Sequence, residues 1–311
     1  MELDYRNNRI KVESKLSEYQ GEDRMVSSVE IAEQLKLTED NVSIYKTFIP
    51  TLDQLLEGGI EGGELAIVTG GTSAGKTTLL MSMTQDMAQD FNTAWFTMEV
   101  TPRQFMKKLG ENPPLFYTPN ENKNGSVEWL LERMIEAIVK YDTKVFFIDH
   151  LHFFFSLSRF SGKSLSLELG DVVTKIKQLA VDYNVAVFLI AHGTDDKTSN
   201  REPRMTDVRD SGMVIRLADI VIGVWRVPNK SNWETKHLEE YGTDDVKSKV
   251  KLWKNRRVGK VGRFFAYYDE KDKRLYELDE NHMPAIFGSF TDETKMKKQY
   301  DKYKKTSNRN S

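Results

Sequence analysis

The stretch Gly70-Gly71-Thr72-Ser73-Ala74-Gly75-Lys76-Thr77 decides the fold of this 311-residue chain. It matches the pattern Gly-x-x-x-x-Gly-Lys-Ser/Thr, follows the apolar run ELAIVT (64–69) and precedes the helical segment TTLLMSMTQDMAQ (77–89). Small residues let successive backbone N–H groups converge on phosphate oxygens, and the positive end of the following helix lies at the same place. A glycine-rich turn that fits by chance is the alternative, but the flanking strand and helix favour a nucleotide-binding loop.

The residues of this loop have separate expected roles. Lys76 can reach the β- and γ-phosphates, and the hydroxyl of Thr77 can hold Mg²⁺. The implied cofactors are therefore ATP, or another nucleoside triphosphate, and Mg²⁺. Nucleotide contacts are expected at Gly70, Gly71, Thr72, Ser73, Ala74, Gly75, Lys76, Thr77 and Thr78.

Short apolar runs alternate with longer helical segments outward from the loop, over residues 45–226. The runs are ELAIVT (64–69), TAWFTM (93–98), KVFFID (144–149), VAVFLI (185–190) and DIVIGVW (219–225), and the main helical segments are 77–89, 126–140 and 168–183. This alternation is typical of an α/β fold with a mainly parallel central sheet and helices on both faces. Residues 247–280 contain SKVKLWK, RFFAYYD and RLYELD, which predict an antiparallel C-terminal hairpin added to the sheet edge.

Polar residues close three of these strands, where parallel sheets bind their ligands. Asp149 is the last residue of KVFFID and is the candidate for orienting the metal. The alternative is that it only caps the segment that follows. Glu99 follows TAWFTM and could orient or deprotonate an attacking water, unless it is a solvated loop residue. His192 follows VAVFLI and could contact the γ-phosphate, with an ordinary turn residue as the alternative.

Composition excludes several classes of protein. There are 45 Lys and Arg residues against 47 Asp and Glu, so the chain is no bulk polycation, and any nucleic-acid site must be local. The absence of cysteine excludes disulfides, thiolate zinc sites and a cysteine nucleophile. No apolar run approaches ~20 residues, and the first residues are too charged for a signal peptide. We therefore expect a cytoplasmic protein that does not bind membranes (in the host cytoplasm, if a phage encodes it).

These residues together resemble the RecA-type motor domain of the hexameric replicative helicases, the DnaB-like family (superfamily 4), in a phage-type minimal form. The resemblance covers residues 45–280 and implies a RecA-like P-loop NTPase core. The segment IPTLDQLLEGGIEGGELAIVTG, with its Leu52-Asp53 pair, resembles the opening of that family. TMEV, FFIDHLHFF and IAHG stand where the family has its catalytic glutamate, its metal-binding aspartate and its γ-phosphate sensor. The resemblance therefore gives these roles to Glu99, Asp149 and His192.

Two later segments carry the resemblance further. Residues 207–212 (DVRDSG), followed by Ala218-Asp219, are similar to a family signature that comes after the DNA-binding loop. WKNRRVGKVG resembles the segment in which a lysine and an arginine reach the nucleotide of the neighbouring subunit. Lys254 and Arg256 match, and Arg257 is an alternative for the arginine. Residues 247–263 hold eight basic and no acidic side chains, and a basic hairpin face in solvent or on nucleic acid is the alternative.

The resemblance also implies a homo-oligomer, in the family a hexameric ring, with single-stranded DNA through its centre. The loops after the third and fourth strands, 154–168 and 193–209, would contact DNA phosphates without reading bases. Ordinary solvated loop charge is the alternative for each basic residue there. The candidate DNA-binding residues are Arg159, Lys163, Lys197, Arg201, Arg204 and Arg209.

The chain is expected to have three parts. Residues 1–45 form an arm with one helix, VEIAEQLKL, which packs on its own core or docks on a neighbouring subunit; residues 46–285 form the motor; residues 286–311 form a basic tail that we expect to be disordered. In contrast to the bacterial members of the family, we expect no globular N-terminal domain and no primase module before the motor. Residues 228–250 resemble a family-specific insertion with no assigned role.

The expected function is that of an ATP-dependent replicative DNA helicase, which hydrolyses ATP to ADP and phosphate as it unwinds duplex DNA. Its partners would be single-stranded DNA and further copies of the chain, together with a primase, a polymerase or a helicase loader. The first alternative is a RecA- or RadA-type recombinase, which forms filaments rather than rings. The second is an ATP-gated helicase-loading or binding protein, in which the nucleotide sets only the assembly state.

Overall fold

The computed structural model describes residues 9–21, 24–38, 43–98, 100–109, 113–121, 126–150, 165–192, 204–205, 212–226, 248–269 and 272–278. The chain divides into two compact units, Met1–Val42 and Ser43–Ser311. The sequence pattern places this boundary at 45/46. Tyr45 belongs to the second unit because it pairs with Ile60 in a small two-stranded sheet.

The first unit contains the two helices α1 (Arg9–Ser17) and α2 (Ser28–Thr38). Ser27 begins α2 as expected, since its Oγ accepts a hydrogen bond of 3.0 Å from the backbone N–H of Glu30. Val29 and Ile31 are exposed on α2. This helix therefore presents branched apolar side chains on the surface of its unit.

The second unit is built of alternating strands and helices, each within three residues of its predicted bounds where the sequence predicted one. In chain order they are β1 (Ile44–Tyr45), α3 (Pro50–Leu55), β2 (Ile60–Glu61), β3 (Leu65–Gly70), α4 (Lys76–Asp90), β4 (Thr93–Thr97), α5 (Pro102–Leu109), α6 (Val127–Tyr141), β5 (Val145–Asp149), α7 (Leu165–Asp182), β6 (Ala186–His192), α8 (Gly212–Leu217), β7 (Ile220–Arg226), β8 (Ser248–Asn255), β9 (Gly262–Asp269) and β10 (Arg274–Leu278).

An eight-stranded sheet organises this unit, in the order β10-β9-β8-β7-β3-β6-β5-β4. Strands β7, β3, β6, β5 and β4 are parallel to one another. Strands β8, β9 and β10 continue the sheet in antiparallel fashion. The predicted α/β class, a RecA-like core with an added antiparallel edge, is confirmed.

Helices cover both faces of the sheet, because successive strand residues point to opposite sides. Ala66 and Val68 belong to a buried cluster with residues of α3, α4 and α5. Leu65 and Ile67 belong to the opposite cluster, with residues of α6, α7 and α8. Every residue of β3 is buried, which explains why its first four residues are all apolar rather than alternating with polar ones.

The parallel pairing brings the ends of four strands to one edge of the sheet. Gly70 of β3 lies opposite His192 of β6, and Thr97 of β4 lies opposite Asp149 of β5. Strand β8 runs the other way, so its last residue, Asn255, lies opposite Ile220 at the far edge. The loop after β3 and the turn after β8 therefore lie at opposite ends of the strands of the sheet. None of the described helices has the length and apolar character needed to cross a membrane.

Candidate nucleotide-binding site

The loop between β3 and α4 requires glycine at two positions. Gly70 has a φ of 152° and Gly75 a φ of 101°, both in the region that side chains disfavour. A Cβ atom on Gly70 would also lie 2.1 Å from the carbonyl oxygen of Val224 on the neighbouring strand β7. The two glycines therefore allow the tight turn that brings the loop back to the start of α4.

Lys76 is the first residue of α4, and its side chain stays with the loop. The residue is only 6% exposed. Its Nζ donates hydrogen bonds to the carbonyl oxygens of Gly70, at 3.0 Å, and Gly71, at 2.8 Å. The ammonium group is thus held at the carboxyl edge of the sheet, where the motif requires it to meet phosphate oxygens.

Thr77 and Asp149 meet at the same edge. The Thr77 hydroxyl donates a hydrogen bond of 2.7 Å to Asp149 Oδ2, and Asp149 is 5% exposed at the end of β5. A hydroxyl and a carboxylate are hard oxygen ligands, which suit Mg²⁺, an ion that fills its other positions with water and phosphate. Among the described residues no group of three or more Asp, Glu, His or Cys side chains is arranged to hold a metal ion by itself. The residues present therefore fit a metal that the nucleotide helps to bind.

Two of the predicted catalytic residues can be placed only by their backbone neighbours. Glu99 lies outside the described residues, but Met98 N donates a hydrogen bond of 2.6 Å to the carbonyl oxygen of Asp149, so the chain passes next to Asp149 just before it. His192 pairs with Gly70, between the phosphate loop and Asp149 in the strand order, and its side chain lies outside the described part of the structure.

The Lys254 ammonium is used within its own chain. Its Nζ donates to the carbonyl oxygens of Ile215 (2.7 Å), Arg216 (3.3 Å) and Ala218 (2.6 Å), at the C-terminal end of α8. Burial lowers the pKa of the Lys254 ammonium, and the positive charge of Arg256 adds to this effect while Asp219 opposes it. An ammonium group has three N–H donors, so these carbonyls engage all of them.

Arg257 is likewise engaged in its own chain, and its side chain is 22% exposed. Its Nε donates to Glu64 at 3.0 Å, its Nη1 lies 3.3 Å from the Glu61 carboxylate, and its Nη2 donates to the carbonyl oxygens of Leu56 and Gly59 at 2.8 Å. These contacts tie the turn after β8 to the segment between α3 and β2.

Arg256 differs from both neighbours because 51% of its side chain is exposed. Nη1 donates to Asp219 Oδ1 at 3.1 Å and Nη2 donates to the carbonyl oxygen of Arg216. A guanidinium group has five N–H donors, so this side chain has capacity for a further acceptor. Of the two arginines that the sequence left as alternatives, Arg256 is the one placed to reach another molecule.

The basic turn is far from the phosphate loop of its own chain. Val221 at the start of β7 pairs with Lys254. Asp219 N donates a hydrogen bond to the carbonyl oxygen of Leu65 at the start of β3, and the carbonyl oxygen of Asp219 accepts one from Arg256 N. Along β3, Leu65 lies five residues before Gly70, which separates the two by about 17 Å. An arginine side chain cannot span that distance. A nucleotide that meets Arg256 must therefore belong to another molecule.

Of the candidate DNA-binding residues, only Arg204 belongs to the part of the chain that the structure describes. Arg204 is exposed. The others lie outside the described residues, as do most of the insertion at 228–250 and the whole tail at 286–311; they are Arg159, Lys163, Lys197, Arg201 and Arg209.

Three buried acidic residues form contacts within the second unit and were given no role from the sequence. Asp53 accepts hydrogen bonds from Thr47 N and Oγ1, both at 2.7 Å, and burial raises the pKa of its carboxyl. Asp86 of α4 forms a buried ion pair with Arg274 of β10. Asp219 binds Arg256. The burial of Asp86 could have been predicted from the sequence, because it lies three residues after Met83 and so on the same buried face of α4.

Comparisons with known families match the two halves of the chain separately. Residues 115–277 match the family described as "DnaB-like helicase C terminal domain", and residues 31–114 match one described as "AAA domain". The first match alone covers more than half of the chain.

Curated relatives include proteins named "DNA repair protein RadA". The one from Streptococcus pneumoniae is 27% identical over 176 residues, which are 55% of this chain and 40% of the relative. The one from Campylobacter jejuni subsp. jejuni is 22% identical over 156 residues, 49% of this chain and 33% of the relative. The chain thus spans less than half the length of these relatives.

Solved structures show the same fold. The structure of a DnaB-like replicative helicase and its interactions with primase superposes with a TM-score of 0.63 at 15% identity, covering 86% of this chain and 70% of that one. A second solved ATPase domain also gives 0.63 at 15% identity, covering 81% of this chain and 97% of its own.

Proposed function

This chain belongs to the family of DnaB-like helicase C-terminal domains, and from that premise we propose that it is an ATP-dependent replicative DNA helicase. In this proposal the chain assembles as a ring, moves along single-stranded DNA and unwinds duplex DNA ahead of it. The phosphate loop at 70–77 supplies the nucleotide site, and the pair Thr77–Asp149 supplies the metal site.

One observation carries the proposal of a ring. The phosphate loop and the half-exposed Arg256 lie at opposite ends of the strands of one sheet. A site that contains both therefore needs two copies of the chain. Such a head-to-tail contact repeats from copy to copy and closes into a ring when the rotation between copies allows it. A ring rather than an open filament is proposed from the family of the chain. An arginine supplied by the neighbour can contribute about 10³–10⁵ to the rate of phosphoryl transfer.

The chemistry is hydrolysis of the γ-phosphate bond. Water attacks the γ-phosphorus, the bond to the bridging oxygen breaks, and ADP and phosphate leave. When bound, Mg²⁺ neutralises charge on the β- and γ-phosphates. In this proposal Lys76 orients the γ-phosphate, Glu99 takes the proton of the water, and His192 responds to the loss of phosphate. Arg256 of the adjacent copy stabilises the charge that develops.

Hydrolysis would be coupled to DNA through the predicted loops at 154–168 and 193–209, of which the first ends before Leu165, where α7 begins. These follow β5 and β6, the strands that end in Asp149 and His192, so a change at the γ-phosphate has a short path to both loops. Their candidate phosphate contacts are Arg159, Lys163, Lys197, Arg201, Arg204 and Arg209. The solved DnaB-like helicase that shares the fold interacts with primase. We therefore propose a primase, a polymerase or a helicase loader as a further partner of this chain. The proposed location is the cytoplasm, where replication takes place.

The test combines ATP hydrolysis, unwinding and imaging. We expect single-stranded DNA to raise the ATPase rate of the chain, forked duplex to be unwound, and closed rings to appear by electron microscopy with nucleotide and DNA. Lys76→Ala should abolish both activities. A monomer under these conditions, or DNA-stimulated hydrolysis that survives Lys76→Ala, would refute the proposal.

A RecA- or RadA-type recombinase is the second candidate, since the curated relatives are named as RadA DNA repair proteins. Filaments on DNA and strand exchange without fork unwinding would favour it. An ATP-gated loading protein would hydrolyse ATP slowly and unwind nothing. The same three measurements therefore separate all three candidates.

A further inference from the structure

Asp219 joins the basic turn to the start of the phosphate-loop strand. Its side chain is 8% exposed, and its Oδ1 accepts a hydrogen bond of 3.1 Å from Arg256 Nη1. Its Oδ2 accepts from the backbone N–H of Leu65 at 2.9 Å and from Lys177 Nζ. One buried carboxylate thus binds two cations and a backbone donor on three different elements.

This arrangement fixes the Arg256 side chain at both ends of its guanidinium group. Nη1 is bound by Asp219, and Nη2 is bound by the carbonyl oxygen of Arg216. The backbone is fixed as well, because Arg256 N donates to the carbonyl oxygen of Asp219 at 2.9 Å. A half-exposed arginine normally samples many rotamers, so these contacts hold it in one direction while part of it stays accessible.

We propose that Asp219 is a positioning residue, which sets the guanidinium group of Arg256 for the nucleotide bound by the adjacent subunit. This inference rests on the proposed function, and it gives a role to the acidic residue of the Ala218-Asp219 pair. Asp219 touches no substrate, since it lies at the edge of the sheet opposite the phosphate loop. It acts through Arg256.

A purely local role is the competing explanation. Asp219 also binds Leu65 N, so it could act only by holding the start of β3 and, through β3, the phosphate loop of its own chain. The two explanations differ in where the defect appears. Loss of the positioning role harms the site of the neighbouring subunit, whereas loss of the local role harms the nucleotide site of the same subunit.

The first experiment replaces the carboxylate by an amide, Asp219→Asn. We expect kcat of the DNA-stimulated ATPase to fall roughly 10²-fold, the effect of a small misplacement of a reacting group. KM and the affinity for a fluorescent ADP analogue should stay within about threefold of wild type, because the phosphate loop is intact. A fall in nucleotide affinity that matches the fall in kcat would support the local role instead.

The decisive experiment mixes two inactive variants of the full chain. Oligomers that contain Asp219→Asn and Lys76→Ala subunits include interfaces where the first supplies the phosphate loop and the second supplies a correctly held Arg256. In an equal mixture about a quarter of the head-to-tail interfaces have this composition. We expect activity well above that of either variant alone. A mixture that stays inactive would overturn the positioning role.

A parallel mixture keeps this result separate from the proposed function. Arg256→Ala mixed with Lys76→Ala should recover in the same way. If it recovers and the Asp219→Asn mixture does not, the proposed ring stands and the role of Asp219 falls. If neither recovers, Arg256 does not act on a neighbour, and both the shared site and this inference are overturned.

Two further variants guard against misfolding and unspecific effects. Glu128→Gln makes the same chemical change in an exposed carboxylate that pairs with Lys175 at 3.1 Å, and it should leave kcat unchanged. Asp219→Glu keeps the charge but moves it by one methylene group. Should Asp219→Asn fail to fold, the mixture of Asp219→Glu with Lys76→Ala tests the same point, with recovery expected and its absence overturning the proposal.

Discussion

Arg256 and Arg257 are adjacent in the sequence and have opposite surroundings. Arg257 is bound by two carboxylates and two carbonyl oxygens of its own chain, while half of Arg256 is exposed. The resemblance in sequence favoured Arg256 but left Arg257 as an alternative, because the partner Glu64 is 193 positions away from Arg257. The assignment of the candidate arginine therefore needed the tertiary structure.

The two arginines should respond differently to truncation. We expect Arg256→Ala to lower kcat by about 10³-fold or more with only a small loss of stability, because Asp219 keeps Lys177 and the backbone N–H of Leu65 as partners. Arg257→Ala should instead lower the free energy of unfolding by about 1–3 kcal/mol, because partly buried carboxylate and carbonyl partners lose their donors. Steady-state ATPase assays and urea unfolding of both variants measure this. Similar effects on both properties would contradict the assignment.

Gly70 gives a second test at the level of one residue. Gly70→Ala places a Cβ atom 2.1 Å from the Val224 carbonyl oxygen in a backbone conformation that alanine disfavours. We expect a loss of nucleotide binding, together with about 1–3 kcal/mol of unfolding free energy. Gly212→Ala is the matched control, since no atom lies within 4 Å of its added Cβ and it begins a helix. Equal losses in calorimetric titrations of the two variants would argue against the strained turn.

At the level of elements, β10 contacts α4, the helix that follows the phosphate loop, and holds it in place. Arg274 of β10 pairs with Asp86 of α4 in a buried site, and Leu275 N donates to Ser82 Oγ at 2.8 Å. The same strand reaches α3, because Glu277 accepts hydrogen bonds from the backbone N–H and hydroxyl of Thr51. The added antiparallel edge thus stabilises the elements that carry the nucleotide site.

Breaking the buried pair should be costly. Arg274→Met leaves the Asp86 carboxylate buried without its cation, and we expect it to lower the unfolding free energy by about 3–5 kcal/mol. The double variant Asp86→Leu/Arg274→Met should recover most of this loss. Lys140→Met, which breaks the exposed pair with Glu136, is the control and should change stability by less than about 1 kcal/mol. A double variant as unstable as Arg274→Met would show that the pair is not the cause.

The carboxyl of Glu277 should make the stability depend on pH. Burial raises its pKa above the ordinary value, and the nearby Asp53 adds to this, although hydrogen bonds from Thr51 oppose it. The folded chain therefore binds more protons at this group than the unfolded chain, and its contribution to stability falls as the pH rises through the folded-state pKa. Relative to Glu277→Gln, the wild type should lose stability as the pH rises above 4.5, the ordinary pKa of the carboxyl. Denaturant unfolding at several pH values measures the difference, and the opposite slope would contradict the raised pKa.

The same elements show what a sequence can predict. Buried parallel strands are mostly apolar, so β3 to β7 could be located from the runs that encode them, and α4, α6 and α7 from the helical segments between those runs. The shorter helices α5 and α8 were not predicted. The phosphate loop could be located because glycine, lysine and threonine at fixed spacing have few other uses. The contacts of Asp219 and Lys254 could not, because they depend on how β8 returns beside β7, and a turn of that kind leaves no periodic signal.

At the scale of the whole molecule, the chain carries two halves of a site that it cannot join by itself. The phosphate loop and the basic turn lie at opposite ends of the strands of the sheet, as a repeating head-to-tail assembly requires. Helix α2 of the N-terminal unit adds a second feature of this kind, because Val29 and Ile31 are exposed on it. A surface helix that packed only within its own unit would bury such side chains.

We therefore expect α2 to contribute to assembly. Burial of a valine or isoleucine side chain contributes about 1.5–3 kcal/mol, so Val29→Ser/Ile31→Ser should weaken association by roughly 10²-fold or more if both side chains are covered. Sedimentation velocity with nucleotide present should then show smaller species at concentrations where the wild type forms its full oligomer. Glu33→Gln changes an exposed polar residue of the same helix and should leave assembly as it is. If the double variant assembled like the wild type, α2 would be no docking element, whereas the pairing of the phosphate loop with Arg256 of a neighbour would be unaffected, since it depends on the sheet alone.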